Sequence, residues 1–120
     1  MKNSKKLVTI RVRSDVLSLV NDYVGQYNKK KGYVYVKIFS QIIDMIKLNP
    51  SLLFSILEKR HNFIINNNNN NNQLNDSSSS IMYMYIKVPE ELVKETQKIA
   101  DDYGLKLTAL HEAILIYGLG

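Results

Sequence analysis

Six side chains alternate along two short stretches: Leu7, Thr9 and Arg11 in one, Tyr83, Tyr85 and Lys87 in the other. Between them stand the apolar residues Val8, Ile10 and Val12, and Met84, Ile86 and Val88. Such alternation marks a strand with one face buried and one face free. The free faces carry a guanidinium, an ammonium, a hydroxyl with a methyl, and two phenols. These groups suit recognition of a patterned polar surface. The planar fork of Arg11 matches paired acceptors, whereas Lys87 donates with less geometric selectivity. Thr9 offers both an O–H and a methyl, and the tyrosines join a hydroxyl to a broad apolar edge. Bond-making chemistry has no comparable support. His61 and His111 are the only histidines and lie in different segments, His111 reading as a surface or helix-face residue. The sequence has no nucleophile–base pair, glycine-rich phosphate loop or metal-ligand spacing. It has no cysteine, which excludes disulfides, thiolate zinc sites and thiol nucleophiles. The expectation is a binding protein and not an enzyme, with no metal and no cofactor.

The elements that must position these side chains occur twice. Val8–Val16 lines up with Met84–Leu92 at an offset of 76, with strands expected around Leu7–Arg13 and Tyr83–Val88. A helix follows each strand. Pro89 suits a first helical turn, where a missing N–H costs nothing, and Glu90 and Glu91 sit where the helix dipole favours negative charge. In the first copy Ser14 or Asp15 is the expected cap. The stripe Val16, Val20, Tyr23, Val24 and Tyr27 corresponds to Leu92, Thr96, Ile99, Ala100 and Tyr103, at helical spacing. Gly104 ends the second copy's helix. Asn28-Lys29-Lys30-Lys31 reads as an insertion, after which Gly32–Ile46 aligns with Gly104–Gly118 at an offset of 72. Thr108 is then the expected cap of a further helix with apolar positions Leu110, Ile114, Leu115 and Tyr117. Ile38, Ile42, Ile43 and Met45 are their counterparts, and Val36, which cannot cap, takes the place of Thr108.

A unit of about 40 residues buries too little apolar surface to stand alone, so the copies must share a core. Residues 1–48 form the first unit and residues 81–120 the second. An extra helix is expected within 49–65, from Pro50-Ser51 to about Arg60, with Leu52, Leu53, Ile56 and Leu57 on one side. Its bland role is core packing; its sharper role is self-association between chains. Residues 66–80, with seven consecutive Asn and four Ser, read as a flexible tether spanning roughly 20 Å. Charge is uneven across these segments. The net +5 divides into +7 for residues 1–48, 0 for 49–80 and −2 for 81–120, which directs a polyanionic partner to the first half. No apolar run is long enough for a membrane span or a signal-peptide core, so no membrane is expected and the cytoplasm is the expected location.

Strand, helix, turn and helix, with Ile86-Lys87-Val88-Pro89-Glu90-Glu91-Leu92 as the most specific stretch, resembles the ribbon-helix-helix fold of the Arc and methionine repressor superfamily. The resemblance covers about 42 residues of the first half and about 36 of the second. It implies a mainly α fold with a short two-stranded antiparallel β-ribbon, both copies supplied by one chain as a tandem pseudo-dimer. Tandem forms of this kind resemble small regulators carried by viruses of thermophilic archaea, which would place the chain in the host cytoplasm. The implied function is sequence-specific binding of double-stranded DNA as a transcription regulator, repressor or activator, with the ribbon in the major groove. The family's base readers fall on Leu7, Thr9, Arg11, Tyr83, Tyr85 and Lys87. Its phosphate contacts, made by backbone N–H groups at the second helix's N-terminus, fall on Lys106, Leu107, Thr108 and Ala109, and on Tyr35, Val36 and Lys37. Arg13 at the strand end and Lys29, Lys30 and Lys31 upstream of the helix add charge to that set. An antitoxin-like or other protein-binding module is the second reading; antitoxins extend a tail past the second helix, whereas only two residues follow Gly118.

Overall fold

A computed structural model of the protein describes residues 5–71 and 81–119. In chain order these form β1 (Lys5–Arg13), α1 (Ser14–Tyr27), α2 (Lys31–Leu48), α3 (Leu52–Asn71), β2 (Ile81–Pro89), α4 (Glu90–Asp102) and α5 (Leu107–Leu119). The fold is mainly helical, with one two-stranded antiparallel sheet. Val12, Val88, Met84, Ile10 and Ile86 bury the inner face of the ribbon, as the alternation requires.

The halves are interleaved. Helix α2 packs on β2 and α4 from the other half, and α5 packs on β1 and α1. Phe39, Ile43 and Val34 of α2 and Leu110, Ile114 and Leu115 of α5 fill the shared centre. Helix α5 approaches α2 closely at Gly118, where an added Cβ would meet Ile38 Cγ2 at 2.5 Å. Only glycine permits that approach without a shift of the branched Ile38. In the stripes of α1 and α4, Val16, Val20, Leu92, Thr96, Ile99 and Ala100 are buried, whereas Tyr27 and Tyr103 stay exposed. Thr96 is accommodated because its Oγ1 donates to the Leu92 carbonyl at 2.8 Å.

Three expectations about the elements need correction. The first is the insertion. Helix α2 starts at Lys31 and α5 at Leu107, so the offset of 76 that relates the strands and first helices also relates the starts of the second helices. Asn28 has φ 55° and Gly104, 76 positions later, has φ 65°. Asparagine is one of the few side chains tolerated in the left-handed region, and it makes the same reversal as glycine. Gly32 is therefore not the turn glycine; it lies in the first turn of α2. Consequently Tyr35, Val36 and Lys37 lie a turn inside α2 and not at its start.

The second correction concerns caps. Arg13, not Ser14 or Asp15, takes the cap position of α1, and no side chain of its own closes that end. Thr108 lies inside α5, since Leu110 N–H donates to the carbonyl of Lys106, which holds the cap position. Pro89 likewise ends β2 as the cap residue of α4, with Glu90 and Glu91 in the first turn as expected. The third concerns the tether. Helix α3 continues to Asn71, so Asn66–Asn71 are helical despite the weak helix propensity of asparagine. Leu53 and Ile56 bury α3 against α5, and Phe63 and Ile64 remain half-buried further along. Once such a nucleus is packed, each further residue adds a backbone hydrogen bond without a new nucleation cost. Residues 72–80 of the expected tether lie outside the described residues. Among the described residues no helix is long and apolar enough to cross a membrane.

Candidate nucleic-acid interface

The register of the ribbon brings the six outward residues into three adjacent cross-strand pairs. Leu7 faces Lys87, Thr9 faces Tyr85, and Arg11 faces Tyr83. All six are exposed, Tyr85 the most among the large apolar side chains of the ribbon at 68%. Thr9 and Tyr85 are related by the offset of 76 and are also paired with each other, so the local two-fold relation of the strands passes through this pair. Arg11 and Lys87 then occupy equivalent places at opposite ends of the ribbon, as do Leu7 and Tyr83. A surface about one strand pair wide, with a cation near each end and phenols between, can enter a groove and meet donors and acceptors at its floor.

Two helix starts flank the ribbon. The N–H groups of Leu107, Thr108 and Ala109 occupy the first turn of α5, where an α-helix leaves its donors unpaired. The corresponding turn of α2 comprises Lys31, Gly32 and Tyr33, because Val34 N–H is the first to donate, to the Lys30 carbonyl at 3.1 Å. Of the phosphate set expected on α2, Lys37 is exposed in the second turn, Val36 is half-buried, and Tyr35 is buried with its ring stacked on Phe39 at 3.8 Å. Gly32 and Tyr33 were not anticipated; the missed signal was Asn28 acting as the turn residue. Lys29 lies with its Nζ 5.0 Å from the Tyr33 ring centre, and Lys30 and Lys31 are exposed. Arg13 is held differently from its neighbours. Its Nε and Nη2 donate to the two carboxylate oxygens of Asp15 at 3.1 and 2.9 Å, so its charge is already matched within the protein.

Two titratable groups of α5 sit in the core, which the reading of His111 as a surface residue did not foresee. Glu112 is only 4% exposed. Its Oε2 accepts from the Arg13 N–H at 2.9 Å, and its Oε1 accepts from Arg60 Nε at 3.1 Å and Nη2 at 3.0 Å. One carboxylate thus fixes the junction of β1 and α1 and holds α3 in place. His111 lies edge-on to Tyr35 and Phe39, with centroid distances of 6.1 and 5.6 Å. Tyr35 is its equivalent at the offset of 76, so the two rings meet where the halves join. Burial raises the Tyr35 phenol and pushes the His111 imidazole down to about 4, and His111 Nδ1 has no hydrogen-bond partner among the described residues.

The buried imidazole makes stability acid-sensitive. Its folded pKa lies below the unfolded value, so the unfolded chain takes up the proton first as pH falls. The stabilisation is complete above the unfolded pKa of about 6.5 and declines toward about pH 4, by about 3 kcal/mol in all. Urea unfolding of the protein and of His111→Phe at both ends of that window measures it. The stability difference between the two proteins is expected to move by that amount in favour of the variant at low pH. An unchanged difference would mean that the imidazole is hydrated in the folded state.

Among the described residues no group of three or more His, Cys, Asp or Glu is placed to hold a metal ion. No family model, curated protein or solved structure matches this chain.

Proposed function

We propose that the protein is a sequence-specific double-stranded DNA-binding transcription regulator, built as a tandem ribbon-helix-helix pseudo-dimer within one chain. The observation that carries this reading is the ribbon face: three cross-strand pairs of exposed side chains backed by a continuous core. A two-stranded ribbon fits the major groove, and its rigid support reduces the ordering cost of binding. Arg11 is assigned a bidentate contact to guanine O6 and N7, and Lys87 a contact to the same atoms in the equivalent place. Thr9 and Tyr85 meet the bases at the centre, and Leu7 and Tyr83 the bases or sugars beside them. The unpaired N–H groups at the starts of α2 and α5 provide two anchors for phosphates on either side. Leu107, Thr108 and Ala109 serve at one, and Lys31, Gly32 and Tyr33 at the other.

The test is discrimination, because charge alone gives binding without preference. A duplex selected by the protein from a random pool is compared with an unrelated duplex by fluorescence anisotropy at fixed salt. Arg11→Ala combined with Lys87→Ala is expected to lower the affinity ratio by roughly 10- to 100-fold for each lost base contact. A double variant that keeps the full preference would overturn the assignment of the ribbon as the reader.

A further inference from the structure

The two ends of the ribbon are unlike in a way that the strand pairing alone does not reveal. At the Lys87 end a cleft of about 810 Å³ opens between the ribbon and the turn joining α1 to α2. Lys5, Lys29, Lys30, Lys31 and Lys87 all line it. Tyr85 and Lys87 belong to the outward face of the ribbon as well, so the cleft continues that face without a break. Among the described residues none of the five lysines is in an ion pair; the paired lysines, Lys47 and Lys98, lie elsewhere.

At the Arg11 end the same positions, displaced by 76, hold Ile81, Leu105, Lys106, Leu107 and Arg11. Five cations become two. The last residues of α4 before that turn are Asp101 and Asp102, both exposed, where α1 has Gly25 and Gln26. Asp102 is paired with Lys98 at 3.0 Å, which leaves Asp101 as the carboxylate that repels a polyanion within a Debye length of about 8 Å. One flank of the ribbon is therefore strongly attractive to a polyanion and the other only weakly so.

We infer that the chain binds its DNA in one fixed orientation, with the lysine cleft gripping the phosphates of the flank beyond Lys87 and the opposite flank left weakly held. This rests on the DNA-binding reading. The protein would protect a lopsided stretch, longer on the Lys87 side of the ribbon centre at Thr9 and Tyr85. Such polarity gives a regulator a front and a back relative to a promoter, which a symmetric ribbon lacks.

Hydroxyl-radical footprints and salt titrations on a duplex selected from a random pool test this. The unsubstituted chain is compared with Lys29→Gln/Lys30→Gln/Lys31→Gln and with Lys106→Gln, after circular dichroism shows equal helix content. The triple variant is expected to lower the slope of log affinity against log salt by about 2–3, near 0.9 per phosphate released, and to lose protection on one flank only. Lys106→Gln is expected to change the slope by about 1 at most, and on the other flank. An unchanged slope for the triple variant, or equal shortening of both flanks, overturns the fixed orientation while leaving the DNA reading intact. Failure of the unsubstituted chain to retain any duplex is seen before a variant is made, and overturns the DNA reading and the orientation together.

Discussion

Replacing Glu112 with alanine is expected to destabilise the protein by about 3–5 kcal/mol, the usual consequence of removing one partner from a buried ion pair. The loss has two origins. Arg60 keeps a charge that is largely withdrawn from water, with 29% of its side chain exposed. The Arg13 N–H, at the cap position of α1, loses the Glu112 carboxylate as an acceptor. Loss of this hydrogen bond to a charged acceptor adds about 1.5–3 kcal/mol. Glu112→Leu combined with Arg60→Leu removes both charges and keeps the volume, and such exchanges are often neutral or better. The double variant is therefore expected to be more stable than Glu112→Ala, leaving mainly the cost of the Arg13 N–H. Urea denaturation of both variants measures the difference. A loss below about 1 kcal/mol for Glu112→Ala would show that the carboxylate does not anchor α3. The equivalent position in the first half is Val36, so this contact has no counterpart there. That asymmetry follows from having a single extra helix, α3, which packs chiefly on α5.

Phe39→Ala is the second large effect, also about 3–5 kcal/mol, from lost transfer free energy and the cavity left behind. Phe39 is fully buried at the centre of α2, stacked on Tyr35 and met edge-on by His111. Relaxation into the space is restricted, because Tyr35 and His111 are carried by helices α2 and α5, which pack against each other and approach closely at Gly118. Phe39→Leu reproduces the residue found at the equivalent position, Leu115, and is expected to cost much less. Thermal unfolding of the two variants separates volume loss from loss of aromatic contact. Equal destabilisation by both would indicate that ring stacking, rather than filling of space, is what Phe39 contributes.

Much of this architecture was legible in local pattern. The period-two alternation located both strands and assigned their faces correctly, since a strand with one wet side must alternate. The helical stripes located the buried residues Val16, Val20, Leu92, Thr96, Ile99 and Ala100, while Tyr23 and Val24 are half-buried and Tyr27 and Tyr103, at the helix ends, are exposed. Where the pattern misled, a backbone conformation or a tertiary contact had overridden it. Asn28 does the work of a glycine through a positive φ, which leaves no trace in hydropathy. Reading it as part of an insertion moved the start of α2 by a turn and placed the phosphate anchors on Val36 and Lys37. The asparagines of 66–71 carry no helical preference of their own, and join α3 only because its earlier residues are packed on α5. His111 and Glu112 are polar in sequence and buried in the fold, one beside aromatic rings and the other beside arginines contributed by distant segments.

By itself the sequence determined the duplicated strand and helix units, the side of each strand that faces outward, and the basic bias of the first half. These depend on side-chain type and spacing along one segment, which is local information. Only the tertiary structure decided the partners across the ribbon, Leu7 with Lys87, Thr9 with Tyr85 and Arg11 with Tyr83. It also gathered five lysines, from β1, β2, the start of α2 and the turn before it, around one cleft. Register between distant strands is set by how α2 and α5 interlock beneath them. A shift of the pairing would drag the apolar inner face out of that core.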